Sequence, residues 1–249
     1  MIKRGSTWSC AGTAFFIDPN HVVTCCHVIS KEYDWDPNGF NRQDGSVDPN
    51  KLNLKWQVFP EIAIEIEDGK GILVECISPP TPSDPFPAIF DFAILELKGK
   101  PIKRITCIRF CPDSASFVVG EDVYFSGFPL GAPAMLTHKG MLSGFIQGQD
   151  ILCIQASINK GNSGGALLNG QGEVIGIMSF RLGGIGRGLE QVRAQIAKAG
   201  SRVRIGGVDT LETDKAIIDV LDRTISTGVG YARSVSHVRD YAQKHGLVE

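Results

Sequence analysis

Ser163 stands in the run Lys160-Gly161-Asn162-Ser163-Gly164-Gly165, between an apolar stretch ending at Ile158 and the strand-like Glu173-Val174-Ile175-Gly176-Ile177-Met178. Glycines at 161, 164 and 165 allow sharp backbone bends that other residues resist, so the run is built to present one hydroxyl at a tight turn. Such a turn needs rigid strands on both sides, which limits the folds open to the chain. Two other segments bring chemistry to it. Thr24-Cys25-Cys26-His27-Val28-Ile29 lies upstream, and Asp91-Phe92-Ala93-Ile94-Leu95 lies between the two. A serine hydroxyl attacks poorly at neutral pH unless an imidazole takes its proton. That imidazole needs a partner to hold its tautomer. His27, Asp91 and Ser163 are therefore the candidate base, orienting carboxylate and nucleophile. The N–H groups of Gly161 and Ser163 are candidate donors to a developing oxyanion.

Apolar and polar residues alternate through most of the chain. Gly12 to Ile17 reads as a strand, Asp18-Pro19-Asn20 as a turn, and His21 to Cys25 as the hairpin partner. Residues 31–53 read as a solvated polar loop; Asp34, Asp36, Asn38, Asp44 and Asp48 lack calcium-loop spacing. Strands return at 56–59, 61–66 and 71–76, and prolines at 79, 80, 82, 85 and 87 make an extended loop before Asp91. A second group follows at 122–125, 139–146, 151–156, 166–168 and 173–178. Many short strands without a strand–helix–strand rhythm indicate barrels. Near the C-terminus the apolar period becomes helical: Leu189, Val192 and Ile196, then Ile217, Val220 and Leu221, then Val235, Val238, Tyr241 and Ala242.

A formal net charge of -2 over 249 residues gives no electrostatic reason for a nucleic-acid partner, and no apolar run is long enough to span a membrane. Lys3 and Arg4 lack the apolar run that would follow them in a secretion leader. Seven cysteines cannot all pair within one chain, and adjacent Cys25 and Cys26 face opposite sides of a strand. Free thiols in a reducing cytosol, and hence a cytoplasmic protein, are the expectation.

These motifs together resemble the trypsin-like serine peptidases, nearest to the bacterial Deg/HtrA branch. Gly12-Thr13-Ala14-Phe15 resembles the family's opening Gly-x-Gly-Phe, and Thr24 to Val28 its Thr-x-x-His-Val. Asp91 to Leu95, Gly127-Phe128-Pro129-Leu130-Gly131 and Gly140 to Gly144 resemble further family elements, as does the whole of 155–177; the likeness resumes at Gly228 to Ala232. The resemblance implies an all-β fold of two six-stranded antiparallel barrels of the chymotrypsin type. The first, residues 1–110, would carry His27 and Asp91. The second, residues 111–249, would carry Ser163, a helical insertion at 181–227 and a C-terminal helix at 234–246.

It also implies an endopeptidase that acts on polypeptides through an acyl-enzyme on Ser163, with no metal or organic cofactor. Ser157 would lie at the base of the pocket for the substrate's P1 side chain, with Val229 and Tyr231 narrowing its wall. An uncharged base and a narrowed wall favour small or medium apolar side chains. Ser179 would lie near Asp91 and begin the strand that pairs with substrate. Asn162 stands where secreted relatives have an aspartate that pairs with a new N-terminus, a pairing closed to an amide. The insertion is a candidate surface for a protein activator. The alternatives are a peptidase latent until a partner acts, and a non-catalytic binding module on the same fold. Assembly state is left open.

Overall fold

Short alternating segments become strands because one face of each can be buried while the other stays wet. The computed structural model describes residues 1–249 except 5, 36, 40, 42–45, 49, 67–70, 113–116, 147–149, 182–203, 206–207, 210–211, 215, 218–227 and 249. Strands β1 (Ile2–Arg4), β2 (Thr7–Ser9), β3 (Phe15–Phe16), β4 (His21–Thr24), β7 (Ile62–Glu65), β8 (Gly71–Cys76) and β9 (Ala93–Leu97) form one sheet, in the order β2-β1-β7-β8-β9-β4-β3. Between β4 and β7 come helix α1 (Cys26–Ile29) and a separate ribbon of β5 (Ser30–Trp35) with β6 (Leu54–Val58). Helix α2 (Phe86–Ile89) precedes β9.

The second half closes. Strands β10 (Asp122–Gly127), β11 (Leu136–Ile146), β12 (Ile151–Gln155), β17 (Val229–Ser234), β14 (Val174–Arg181) and β13 (Ala166–Leu168) form a barrel, with β13 returning to β10. Along β17 the inward positions are Gly230, Ala232 and Ser234, small residues that leave room for Leu152, Ile154, Leu142 and Phe125 in the core.

The expected pair of six-stranded barrels is therefore corrected. One barrel is closed, and the other unit is an open seven-stranded sheet. Its β3 edge is occupied without being joined to β2. Strand β3 is only two residues long, Phe16 O accepts from Ile108 N at 2.9 Å, and Thr13 N donates to Ser163 O at 2.8 Å. Backbone groups that would have recruited a closing strand are spent on a loop and on the nucleophile turn.

Other differences are smaller. Part of the polar stretch after Lys31 is strand, pairing Tyr33 with Trp56 across the β5–β6 ribbon. Most of the expected helical insertion lies outside the described residues, including the stripe Leu189, Val192, Ile196. Within its described part, β15 (Arg204–Ile205) and β16 (Val208–Asp209) form an antiparallel pair, while 212–214 and 216–217 are helical. The C-terminal helix α3 spans Ser236–Lys244. Its Val238 and Ala242 join a core cluster that includes Phe92 and Ile94 of the open sheet and Ala166 and Ile177 of the barrel. The helix thus seals the seam between the halves rather than docking on the barrel alone. No helix among the described residues is long and apolar enough to cross a membrane.

Ile154 is fully buried at the centre of the barrel. Ile154→Ala is expected to lower unfolding free energy by about 2–5 kcal/mol, measured by urea denaturation, because a closed barrel cannot collapse around the cavity.

Candidate active site

Asp91 is the buried charge around which the site is arranged. Helix α2 ends just before it, Asp91 N–H donates to Ala88 O at 3.2 Å, and the residue takes φ 51°, a left-handed conformation unusual for a non-glycine. The Tyr33 hydroxyl also donates to Ala88 O, tying the β5–β6 ribbon to α2. This turn aims the carboxylate at the seam. There it accepts the His27 backbone N–H at 3.1 Å, His27 Nδ1 at 2.7 Å and the Ser179 hydroxyl at 2.6 Å.

An ionised carboxylate can only accept, so Nδ1 of His27 carries the proton and Nε2 is the ring's basic atom. Burial by itself lowers the pKa of the His27 imidazolium; the Asp91 charge and hydrogen bond outweigh it, and the net value is raised. For Asp91 the order is mirrored. Burial raises its pKa, and His27 with Ser179 brings it below the usual value.

Ser163 is reached through Ser179. The Ser163 hydroxyl donates to Ser179 O at 2.9 Å, so β14 touches Asp91 with a side chain and Ser163 with a carbonyl. Among the described residues Ser163 Oγ makes no hydrogen bond to His27. The N–H groups of Gly161 and Ser163 likewise have no partner among the described residues. Gly161 takes φ 101° and Gly164 φ 87°; an added Cβ would come within 1.9 Å of Phe128 O and 2.1 Å of Thr13 O respectively. Only glycine allows backbone that close.

Thr13 is a residue that the motifs did not single out. Its N–H donates to Ser163 O at 2.8 Å, its hydroxyl to Gly161 O at 2.6 Å, and its own carbonyl accepts from Thr24 Oγ1 at 2.7 Å. It holds the nucleophile turn from the open-sheet side. The signal available was a β-branched hydroxyl at the variable position of the Gly12 motif, just before Ala14, which replaces the motif's second glycine. The Asn162 side chain is fully buried, and among the described residues neither of its polar atoms has a hydrogen-bond partner.

The expected pocket residues are spread over two elements. Ser157 is exposed, and Val229 and Tyr231 are half-buried on one face of β17. Sequence reasoning missed Ile158, which is 4% exposed and packs so tightly over Gly230 that an added Cβ would meet its Cδ1 at 1.9 Å. Its signal was present: Leu152, Ile154, Ala156 and Ile158 form an every-second-residue apolar series.

Cys25 Sγ, a ring nitrogen of His27 and the Asp91 carboxylate lie within 4.8 Å of one another, a grouping compatible with a metal ion. Each is already engaged, with Cys25 donating to Met178 O at 3.3 Å and His27 bonded to Asp91. Cys26 faces the other way and donates to Phe92 O at 3.0 Å. Burial is the largest cause of the strong rise in both thiol pKa values, which makes them poor thiolates.

The family model for the trypsin-like peptidase domain matches residues 12–177. The chain is 38% identical over 106 residues to "Serine protease Do-like HtrB" of Bacillus subtilis (strain 168), a match covering 38% of this chain and 22% of that protein. It is 29% identical over 169 residues to "Probable periplasmic serine endoprotease DegP-like" of Rhizobium meliloti (strain 1021), covering 64% of this chain and 30% of that protein. The chain thus spans less than a third of either relative's length. Among solved structures, the serine endoprotease from Yersinia pestis superposes with a TM-score of 0.54 at 17% identity, over 95% of this chain and 57% of that one, a likeness of fold.

The cytoplasmic expectation is corrected by these comparisons, since the Rhizobium relative is named as periplasmic. Of the cysteines, Cys25, Cys26 and Cys111 are buried and Cys10 is exposed. Thiols shielded in a core survive in any compartment, so an unpaired count does not report the cytosol.

Titration of His27 by NMR should give a pKa above the value of about 6.5 for a free imidazole. Asp91→Asn removes the charge and leaves the burial, so the value should drop below that reference. The raised His27 pKa stabilises the fold fully below about pH 6.5, and the contribution fades as pH rises through the raised value. Asp91, with its lowered pKa, contributes above about pH 3.9 and loses that contribution as pH falls.

Proposed function

The chain belongs to the family of trypsin-like peptidase domains, and from that premise we propose that it is a serine endopeptidase acting on polypeptides. The observation that carries this reading is the continuous network from His27 through Asp91 and Ser179 to the Ser163 hydroxyl. In the proposed reaction, rotation about the Ser163 Cα–Cβ bond brings Oγ from Ser179 O to Nε2 of His27. Ser163 Oγ attacks the substrate carbonyl carbon as Nε2 takes its proton. Asp91 stabilises the imidazolium, and the N–H groups of Gly161 and Ser163, unengaged among the described residues, receive the oxyanion. The imidazolium protonates the leaving amine as the C–N bond breaks and the acyl-enzyme forms. Water, deprotonated by His27, then releases the acid and restores Ser163.

For specificity, uncharged Ser157 and the bulk of Ile158 over Gly230 support a preference for small or medium apolar P1 residues, with Val229 and Tyr231 on the adjoining wall. Ser179 opens the backbone edge for substrate. A second reading has one observation in its favour: with Ser163 Oγ held by Ser179 O, the nucleophile is at rest. A peptidase latent until substrate or a protein partner reorients the turn fits that state. The candidate surface for such a partner is the 181–227 region, most of which lies outside the described residues. A pure binding module has no use for a buried carboxylate with three donors.

A fluorophosphonate probe is expected to label the protein and to fail on Ser163→Ala. Well-folded protein that resists the probe even with excess peptide would leave the binding module as the better reading. Ile158→Ala should raise kcat/KM for a P1 phenylalanine substrate relative to P1 valine by about 10- to 100-fold, measured on paired chromogenic peptides.

A further inference from the structure

Of the two candidate oxyanion donors, one belongs to a peptide plane that is held from outside the nucleophile turn. The Leu130 N–H donates to Lys160 O at 2.6 Å. In a trans peptide the carbonyl and the following N–H point in opposite directions. Holding Lys160 O against Leu130 therefore turns the Gly161 N–H away from the 128–132 segment, where it has no partner among the described residues. The two backbones are pressed together, since an added Cβ on Gly161 would also lie 3.3 Å from Pro129 Cα.

Leu130 adopts an uncommon conformation to do this. Its φ is 56° and its ψ 23°, inside the short helical turn Pro129–Gly131, in a region that side chains disfavour. Its own side chain does not explain the choice, being 53% exposed. Gly131 N donates to Phe128 O at 3.2 Å and Ala132 N to Pro129 O at 3.0 Å, so the turn is braced on both sides of Leu130. Strained backbone persists where surrounding structure over-determines it, and here it aims one N–H at one carbonyl.

We propose that Leu130 is a positioning residue for catalysis, acting through its main-chain N–H to hold the Lys160–Gly161 peptide with the Gly161 N–H toward the oxyanion. The proposal rests on the peptidase reading of Ser163. If Leu130 left the left-handed region, Lys160 O would lose its donor, the peptide plane would be free to rotate, and one oxyanion donor would be lost. What matters at this position is the N–H and the positive φ, not the leucine side chain.

The test compares wild type, Leu130→Gly, and a protein with a backbone ester at 130, made by incorporating the α-hydroxy analogue of leucine. The ester removes only the N–H; glycine keeps it and accepts positive φ. Kinetics on a chromogenic peptide with P1 valine are paired with inhibition by the matching peptide aldehyde, whose hemiacetal oxygen occupies the oxyanion position. Binding of the uncleaved peptide is measured with Ser163→Ala added. The ester should lower kcat at least about tenfold, with KM within about twofold, and weaken the aldehyde by a similar factor. Uncleaved-peptide binding should be unchanged, and Leu130→Gly should keep wild-type kcat. Wild-type kcat and aldehyde affinity in the ester protein would overturn the proposal, as would Leu130→Gly falling as far as the ester. Those outcomes leave the peptidase reading standing. An unreactive wild type that no fluorophosphonate labels would overturn the peptidase reading and the Leu130 proposal with it.

Discussion

A carboxylate withdrawn from water must be paired and hydrogen-bonded, and Asp91 satisfies that requirement with donors from both halves of the molecule. His27 comes from α1 beside the open sheet, and Ser179 comes from β14 of the barrel. Taking either partner away would leave a buried charge short of donors. The Asp91 carboxylate is thus a structural demand on how the halves meet as well as a chemical one on the His27 tautomer. The positive φ at Asp91, the short helix α2 and the Tyr33 bond to Ala88 O all serve its placement.

The nucleophile turn is held in a comparable way, by backbone groups rather than by side-chain packing. Gly164 N donates to Met178 O at 2.7 Å on the barrel side, and Thr13 grips the carbonyls of Gly161 and Ser163 from the open sheet. Because these contacts are main chain to main chain or nearly so, they require glycine at 161 and 164. The buried Asn162 side chain and the Ser163 bond to Ser179 O belong to the same turn. The turn is held at its ends and poised at its centre, a state from which a small side-chain rotation engages Nε2.

Much of the architecture was legible because its causes are local. Alternation in 151–156 and 173–178 marks strands whose one face must be buried, and the C-terminal helical stripe marks a helix that has to dock. What was not legible depends on edges. Whether the first sheet closes turns on what Phe16 O and the Thr13 N–H bond to, and both find partners far along the chain, Ile108 and Ser163. Of the β5–β6 ribbon only β5 was hidden, because it opens the polar stretch 31–53, whereas β6 overlaps the strand expected at 56–59. Ile158 was overlooked although its periodicity was visible, since its meaning lies in the missing side chain of Gly230 across the barrel. The compartment expectation rested on the thiol count, which does not report where a chain resides, and a relative named as periplasmic overturns it.

Sequence alone determined the residue types a buried hydroxyl–imidazole–carboxylate chemistry needs, their order along the chain, and the glycines that let a hydroxyl stand at a tight turn. Those follow from side-chain chemistry and from φ, ψ preferences that each residue carries wherever it is. Tertiary structure alone decided that one barrel closes and its companion stays open, that Ser179 links Asp91 to Ser163, and that Leu130 holds the peptide before Gly161. Each of these is a hydrogen bond between groups remote in sequence. Every backbone N–H and C=O is the same in the sequence, and only the folded chain chooses which of them meet.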